Sequence, residues 1–72
     1  MIDEQTLADL ASQLKRRGGT SAFTFKAGPD NVRELAYCHL DRCFFVKVNG
    51  RERLRSDTIE VFLPFLCDLS PP

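Results

Sequence analysis

Hydrophobic positions between Asp3 and Arg17 repeat with the spacing of a helix. The apolar residues of one side are Leu7, Leu10, Ala11 and Leu14. Acidic residues lie in the first turn and basic residues in the last, which complements the helix dipole. Gly18 follows at a position that favours a left-handed C-cap. The segment therefore predicts an N-terminal amphipathic helix.

From Ala22 to Ala27 the spacing changes to alternation, which is typical of a strand. The turn-forming residues of Gly28-Pro29-Asp30-Asn31 follow and predict a three-residue hairpin loop, Pro29 to Asn31, with a bulge. Such a loop pairs Lys26 with Glu34, Phe25 with Leu35 and Phe23 with Tyr37. These complementary pairs favour a second strand from Val32 to Leu40. A helix over the same residues is the alternative, since the apolar spacing fits and Asn31 with Glu34 resembles a capping box.

A third apolar run, Cys43 to Val48, is joined by Asn49-Gly50 to the arginine-rich segment Arg51 to Arg55. A two-residue Asn-Gly turn would place three arginines opposite Val48, Val46 and Phe44. A three-residue loop of Val48, Asn49 and Gly50 avoids this mismatch. It pairs Phe44 with Leu54 and Phe45 with Arg53, and we prefer this register.

The last segment predicts a helix that begins near Thr58, capped by Asp57 with Glu60, and bent or interrupted at Pro64. It is apolar on nearly every side, so we expect it to be buried in the domain or in a partner. The fold class is therefore α+β: an N-terminal helix, an antiparallel meander of three to four strands and a C-terminal apolar helix. Residues 1–72 form a single small domain that ends in a short Pro-rich tail, 70–72.

Alternation divides the predicted sheet into two faces, with Asp41-Arg42 taken as the central turn. The core side carries Phe23, Phe25, Leu35, Tyr37, His39, Phe44, Val46, Val48 and Leu54. The second face carries Thr24, Lys26, Ala36, Cys38, Leu40, Cys43, Phe45, Lys47, Arg51 and Arg53. Either one helix covers this second face, or both helices lie on the first and the second is an association surface.

Charge distribution limits the classes of partner. The chain of 72 residues has a formal net charge of zero, so no global field attracts it to nucleic acid or to anionic membranes. Residues Arg42 to Arg55 nevertheless hold five basic groups against one acid. No apolar stretch approaches the roughly 20 residues of a membrane span. An acidic start without an apolar run and an odd number of cysteines predict a cytoplasmic protein with reduced thiols.

The three cysteines, with one histidine, suggest a zinc site formed by Cys38, His39, Cys43 and Cys67. Adjacent strand residues point to opposite faces, and the spacing matches no common ligand knuckle. The same alternation opposes a catalytic arrangement of cysteine, His39 and Asp41. We therefore expect no metal, no cofactor and no enzymatic activity.

Thiol reactivity should differ among the three cysteines. Cys43 lies near Arg42 and Arg55, which should favour its thiolate. Cys67 lies among Phe65, Leu66 and Leu69 and is expected to be protected. The predicted order of labelling therefore begins with Cys43 and ends with Cys67.

Basic residues at Lys15-Arg16-Arg17 and in the arginine hairpin could contact phosphates while Phe45 stacks on a base. The order helix, strands, helix with a basic hairpin resembles the topology of the double-stranded-RNA-binding domain. That family begins its last helix with a lysine-rich phosphate grip, whereas residues 56–60 here are acidic. Nucleic-acid binding is thus the alternative function.

The function that we predict is a small non-enzymatic protein-binding module that associates with itself or with a protein target. A domain of this size has little core, and its apolar surface exceeds what a small monomer readily covers. We expect a dimer at micromolar concentration, with Phe45, Phe62 or Phe65 at the contact. The candidate partner-binding residues are Phe45, Lys47, Arg51, Arg53, Phe62 and Phe65.

Overall fold

The computed structural model describes residues 2–17 and 22–68. A helix is followed by four strands, a 3-10 turn and a single α-helical turn, which confirms the α+β class. The elements are α1 (Glu4–Arg16), β1 (Ala22–Lys26), β2 (Val32–Cys38), β3 (Cys43–Val48), β4 (Arg51–Ser56), a 3-10 helix (Ile59–Phe62) and α2 (Leu63–Leu66). The strands form one antiparallel sheet in the order β1-β2-β3-β4.

Helix α1 begins as predicted, because Asp3 caps it. The Asp3 carboxylate accepts a hydrogen bond of 2.8 Å from the Thr6 backbone N–H, which satisfies one of the free donors of the first turn. This hydrogen bond lowers the pKa of Asp3. The buried face is the predicted one: Leu7, Leu10, Ala11 and Leu14. Gly18, the expected C-cap glycine, lies outside the described residues.

The segment after the first turn is a strand, so the helical alternative for residues 32–40 was wrong. The predicted three-residue hairpin loop was also wrong. The observed loop spans residues 27–31 and is closed by a 2.9 Å hydrogen bond from Ala27 N–H to the Asn31 carbonyl. Phe23 consequently pairs with Leu35, and Phe25 pairs with Arg33. This displaces the register by two residues, and an even displacement leaves every side chain on its predicted face.

The central turn differs from its prediction in the same way. Cys38 pairs with Cys43, so the loop comprises residues 39–42 rather than Asp41-Arg42 alone. Arg42 adopts a positive φ of 54°, which reverses the chain within this loop. Again the displacement is even, and the faces of β2 and β3 are preserved.

The connection from β3 to β4 is the two-residue Asn49-Gly50 turn, and the preferred three-residue loop was wrong. Both residues have positive φ, 52° for Asn49 and 84° for Gly50, as a type I′ hairpin requires. The Asn49 side chain also accepts a 2.9 Å hydrogen bond from the Val32 N–H. Val48 therefore faces Arg51.

A bulge removes the mismatch that this turn would otherwise create. Lys47 pairs with Glu52, but the next pair is Val46 with Leu54, so Arg53 is an extra residue in β4. The bulge returns Leu54 to the core face, where it packs against the core cluster. Without it, Arg53 would lie opposite Val46 in the core.

The C-terminal segment differs from the predicted capped helix. Thr58 precedes a 3-10 turn without a side-chain cap, and Pro64 lies at the start of the following α-helical turn. A proline is well accommodated there, since the first N–H groups of a helix have no partner in the helix. The segment is buried within this chain through Phe62 and Leu66, both 0% exposed.

Arg33 holds this segment against the sheet. Its Nη1 donates to the Phe65 carbonyl at 2.5 Å and to the Asp68 carboxylate at 2.8 Å. The Arg33 side chain is only 17% exposed, so this ion pair is better shielded than a surface pair. Two hydrogen bonds from one arginine thus fix the end of the apolar segment.

All packed helices lie on one face of the sheet. The core cluster joins α1 and the C-terminal segment to inward residues of β1, β2 and β3: Ile2, Leu7, Leu10, Ala11, Leu14, Phe25, Leu35, Phe44, Val46, Phe62 and Leu66. No element within residues 2–17 and 22–68 covers the opposite face. No helix in the described part of the chain is long and apolar enough to span a membrane.

Candidate binding surface on the open sheet face

The uncovered side of the sheet, here called the open face, is the candidate functional site. Residues that pair directly across antiparallel strands share a face, so the observed register defines its members. They are Ala22, Thr24, Lys26, Val32, Glu34, Ala36, Cys38, Cys43, Phe45, Lys47, Glu52 and Arg55.

Two rows run across the four strands of the open face. The first row is Ala22, Ala36, Phe45 and Arg55. The second row is Thr24, Glu34, Lys47 and Glu52. One row thus changes from small residues to an aromatic ring and a cation, and the other alternates in charge.

A concavity of about 550 Å³ lies over the small residues of the first row. Ala22 and Ala36 form part of its lining, and Phe45, Lys47 and Arg55 line another part. Leu40, in the loop between β2 and β3, is 94% exposed and also borders it. The lining is mainly apolar, as in surfaces that bind ligands or proteins.

Phe45 is the central aromatic residue and is half-buried. The Arg55 guanidinium carbon lies 4.9 Å from its ring centroid, and the Lys47 ammonium lies 5.7 Å from it. Both distances are within the range of cation–π attraction. Both cations therefore contact the ring and help to fix its position.

Arg55 belongs to a polar network at the edge of the open face. It donates to Glu52 at 2.6 and 3.2 Å, to Asp41 at 2.9 Å and to the Cys43 Sγ at 3.5 Å. The hydrogen bonds with Glu52 raise the pKa of Arg55 and lower the pKa of Glu52. The guanidinium charge is consequently shared with two carboxylates.

Two of the four predicted hairpin and strand residues lie on the open face, namely Phe45 and Lys47. Arg51 pairs with Val48 and is directed to the other side at the sheet edge, and Arg53 is the bulged residue. Arg55 and Glu52 occupy the places predicted for Arg53 and Arg51. The signal in the sequence was the Asn-Gly dipeptide, which strongly favours the two-residue turn.

The two aromatic candidates of the C-terminal segment are explained by the core. Phe62 is fully buried, and its ring centroid lies 6.3 Å from that of Phe44. Phe65 is half-buried and packs against the core cluster. Phe62 is therefore not accessible to a partner, and Phe65 presents only part of its surface.

The basic end of α1 packs over aromatic rings of the sheet face that the helices cover. Lys15 Nζ lies 5.5 Å from the Phe44 centroid, and the Arg17 guanidinium lies 5.0 Å from that of Phe23. His39 Nε2 donates to the Arg17 carbonyl at 2.8 Å, and the ring contacts Tyr37 edge-on. Lys15 and Arg17 thus have structural contacts on the side away from the open face, whereas Tyr37 and His39 also line the concavity.

The cysteines do not form a common cluster. Cys38 and Cys43 are cross-strand neighbours, whereas Cys67 lies after α2 and is exposed. Within the described ranges, no three potential metal ligands come close enough to hold an ion. The expectation that Cys67 is protected was wrong, because α2 ends before it. Cys43 is the buried thiol, covered in part by Arg55.

The final helical segment also differs from the last helix of the double-stranded-RNA-binding domain, whose topology the sequence resembles. It comprises one 3-10 turn and one α-helical turn, with Glu60 in the first turn and no lysine. Comparison of the chain with known protein families, curated proteins and solved structures found no match.

Proposed function

We propose that this protein is a non-enzymatic binding module that docks protein on its open face. The observation that carries the proposal is the apolar concavity beside Phe45 on a sheet face that no described element covers. An apolar sheet face with a polar border resembles the core and rim of protein interfaces. The fixed ring of Phe45 serves as the anchor residue.

The charges of the open face favour protein over nucleic acid. Lys26, Lys47 and Arg55 are balanced there by Glu34 and Glu52, with Asp41 bonded to Arg55 at the edge. Binding of a phosphate backbone depends on an excess of cations, which this face lacks. A protein surface of mixed charge fits it better.

We also propose that the protein works in the cytoplasm. Cys38, Cys43 and Cys67 are free thiols, and such thiols persist in reducing compartments.

A photo-crosslinker on the open face tests the proposed docking surface. Phe45 is replaced by benzoylphenylalanine, and the control carries the same group at Ser12, on the exposed side of α1. After irradiation in an extract of the native cells, we expect protein adducts of defined mass from position 45 and none from position 12.

Two results would contradict the proposal. One is equal crosslinking from both positions, which would show that the open face is not selective. The other is a salt-sensitive complex with RNA or DNA in fluorescence anisotropy that Lys47→Ala plus Arg55→Ala abolishes, since steep salt dependence indicates phosphate contacts.

A further inference from the structure

We infer that the protein docked on the open face is a second copy of this chain. The two copies would stack face to face about a two-fold axis that lies between the two sheets, parallel to the strands and above the gap between β2 and β3. This inference rests on the proposed function. When two open faces are stacked in this way, each of the two rows in one copy is complementary to the same row in the other copy.

The cross-strand register makes the face self-complementary. Ala36 pairs with Phe45, and Glu34 pairs with Lys47, each pair joining β2 to β3. A two-fold axis midway between these strands places β2 of one copy over β3 of the other. Phe45 of each copy then faces Ala36 of the second copy, and Lys47 faces Glu34.

Shape supports this arrangement. Packed sheets lie about 10 Å apart, and their side chains must interdigitate. A large ring facing a small residue satisfies this requirement, and the concavity beside Phe45 lies over Ala22 and Ala36. The two-fold axis thus lets each Phe45 ring enter the hollow of the other copy.

Charge supports it as well. Among the described residues, the salt bridges involve Arg33 and Arg55, so Glu34 and Lys47 remain available for ion pairs with another chain. An isologous contact forms each pairing twice. The outer strands follow the same rule, because Glu52 would face Thr24 and Arg55 would face Ala22. No two like charges of these rows face each other.

The size of the face predicts a reversible dimer. Four strands spaced about 4.8 Å apart and about 20 Å long present roughly 400 Å² in plan, so the contact belongs to the small interfaces. The accessible surface of the chain is 4669 Å², close to the about 4,500 Å² expected of a monomer of this mass. The monomer is therefore self-sufficient, and association should occur in the micromolar range.

Charge reversal provides a test that depends on the two-fold pairing. Glu34→Lys and Lys47→Glu each place like charges opposite each other twice, so each should weaken the dimer by at least about tenfold. An equimolar mixture of the two variants restores opposite charges at both contacts. We therefore expect the mixture to form heterodimers of near wild-type affinity.

Sedimentation equilibrium of wild type, the two single variants, their mixture and the double variant measures these affinities. The double variant should also dimerise like wild type. Asp9→Lys, on the exposed side of α1, is the control and should leave the affinity unchanged. Circular dichroism melting of each variant establishes that it is folded, and rescue in the mixture cannot arise from a folding defect.

Three outcomes would overturn the second copy as occupant: a wild type that stays monomeric at all concentrations, single variants that dimerise like wild type, or a mixture that stays monomeric. If a monomeric wild type is crosslinked from position 45 to a different protein, the two-fold dimer is wrong and the proposed function stands. If neither a dimer nor a crosslinked protein is found, both are wrong.

Discussion

Phe44 and Phe45 are neighbours on β3, and their side chains lie on opposite faces of the sheet. Phe44 is 2% exposed beneath α1 and the C-terminal segment, whereas Phe45 is half-buried and close to two cations on the open face. Both faces carry apolar residues at their centres. They differ in that helices cover one face and no described element covers the other.

Hydrophobicity alone therefore does not separate the core from the proposed binding surface. The covered face excludes charge from its centre, and no polar or charged residue in the described ranges is buried. The open face places charges directly beside its aromatic residue. Alternating charge within an apolar surface fixes orientation and register on a partner, which a core does not need.

Substitution of the two phenylalanines should separate the faces most clearly. Phe44→Ala removes a fully packed ring and should lower the free energy of unfolding by about 3–5 kcal/mol. Phe45→Ala should lower it by about 1 kcal/mol or less, because that ring retains solvent contact. Urea denaturation measures both. Equal losses would mean that the open face is as closely packed as the core.

Arg33 and Arg51 offer a second comparison on the covered side of the sheet. Arg33→Met removes the donors to the Phe65 carbonyl and Asp68, and should destabilise the fold by about 1–3 kcal/mol. Arg51→Met changes an exposed side chain and should remain within about 0.5 kcal/mol of wild type. A large effect at Arg51 in thermal unfolding would contradict this difference.

The smallest expected effect concerns pH and the open-face network. Arg55 lowers the folded-state pKa of Glu52 below its ordinary 4.5. Ionised Glu52 therefore contributes stability above that value, and the contribution is lost as pH falls through the lowered folded-state pKa. Wild type should melt slightly above Glu52→Gln near neutral pH, and the two should converge in acid. A constant difference at all pH values would exclude this origin.

The helix, the strands and the membership of most face positions could be predicted from the sequence. The first two hairpins were placed with registers wrong by two residues, yet Phe25, Leu35 and Phe44 remained in the core. An even displacement does not change the side of a strand residue. Periodicity therefore tolerates errors in loop length as long as they are even.

The third hairpin and the coverage of the faces could not be predicted in this way. The bulge at Arg53 changes the side of every later residue in β4. The alternation of apolar and polar residues does not indicate this bulge. Which face the helices cover depends on tertiary packing of Phe62 and Leu66, and not on local pattern. Arg51 was misplaced by the wrong turn length at Asn49-Gly50, Arg53 by the bulge, and Phe62 by the tertiary packing of the C-terminal segment.

Thiol labelling as a function of protein concentration tests most directly whether the open face is the surface that a second copy covers. Cys38 lies on the open face, and exposed Cys67 lies after α2 as an internal control. We expect the labelling rate of Cys38, measured by mass spectrometry, to fall as concentration rises through the micromolar range while that of Cys67 stays constant. A constant rate at Cys38, or an equal fall at both cysteines, would contradict the open face as the site of association.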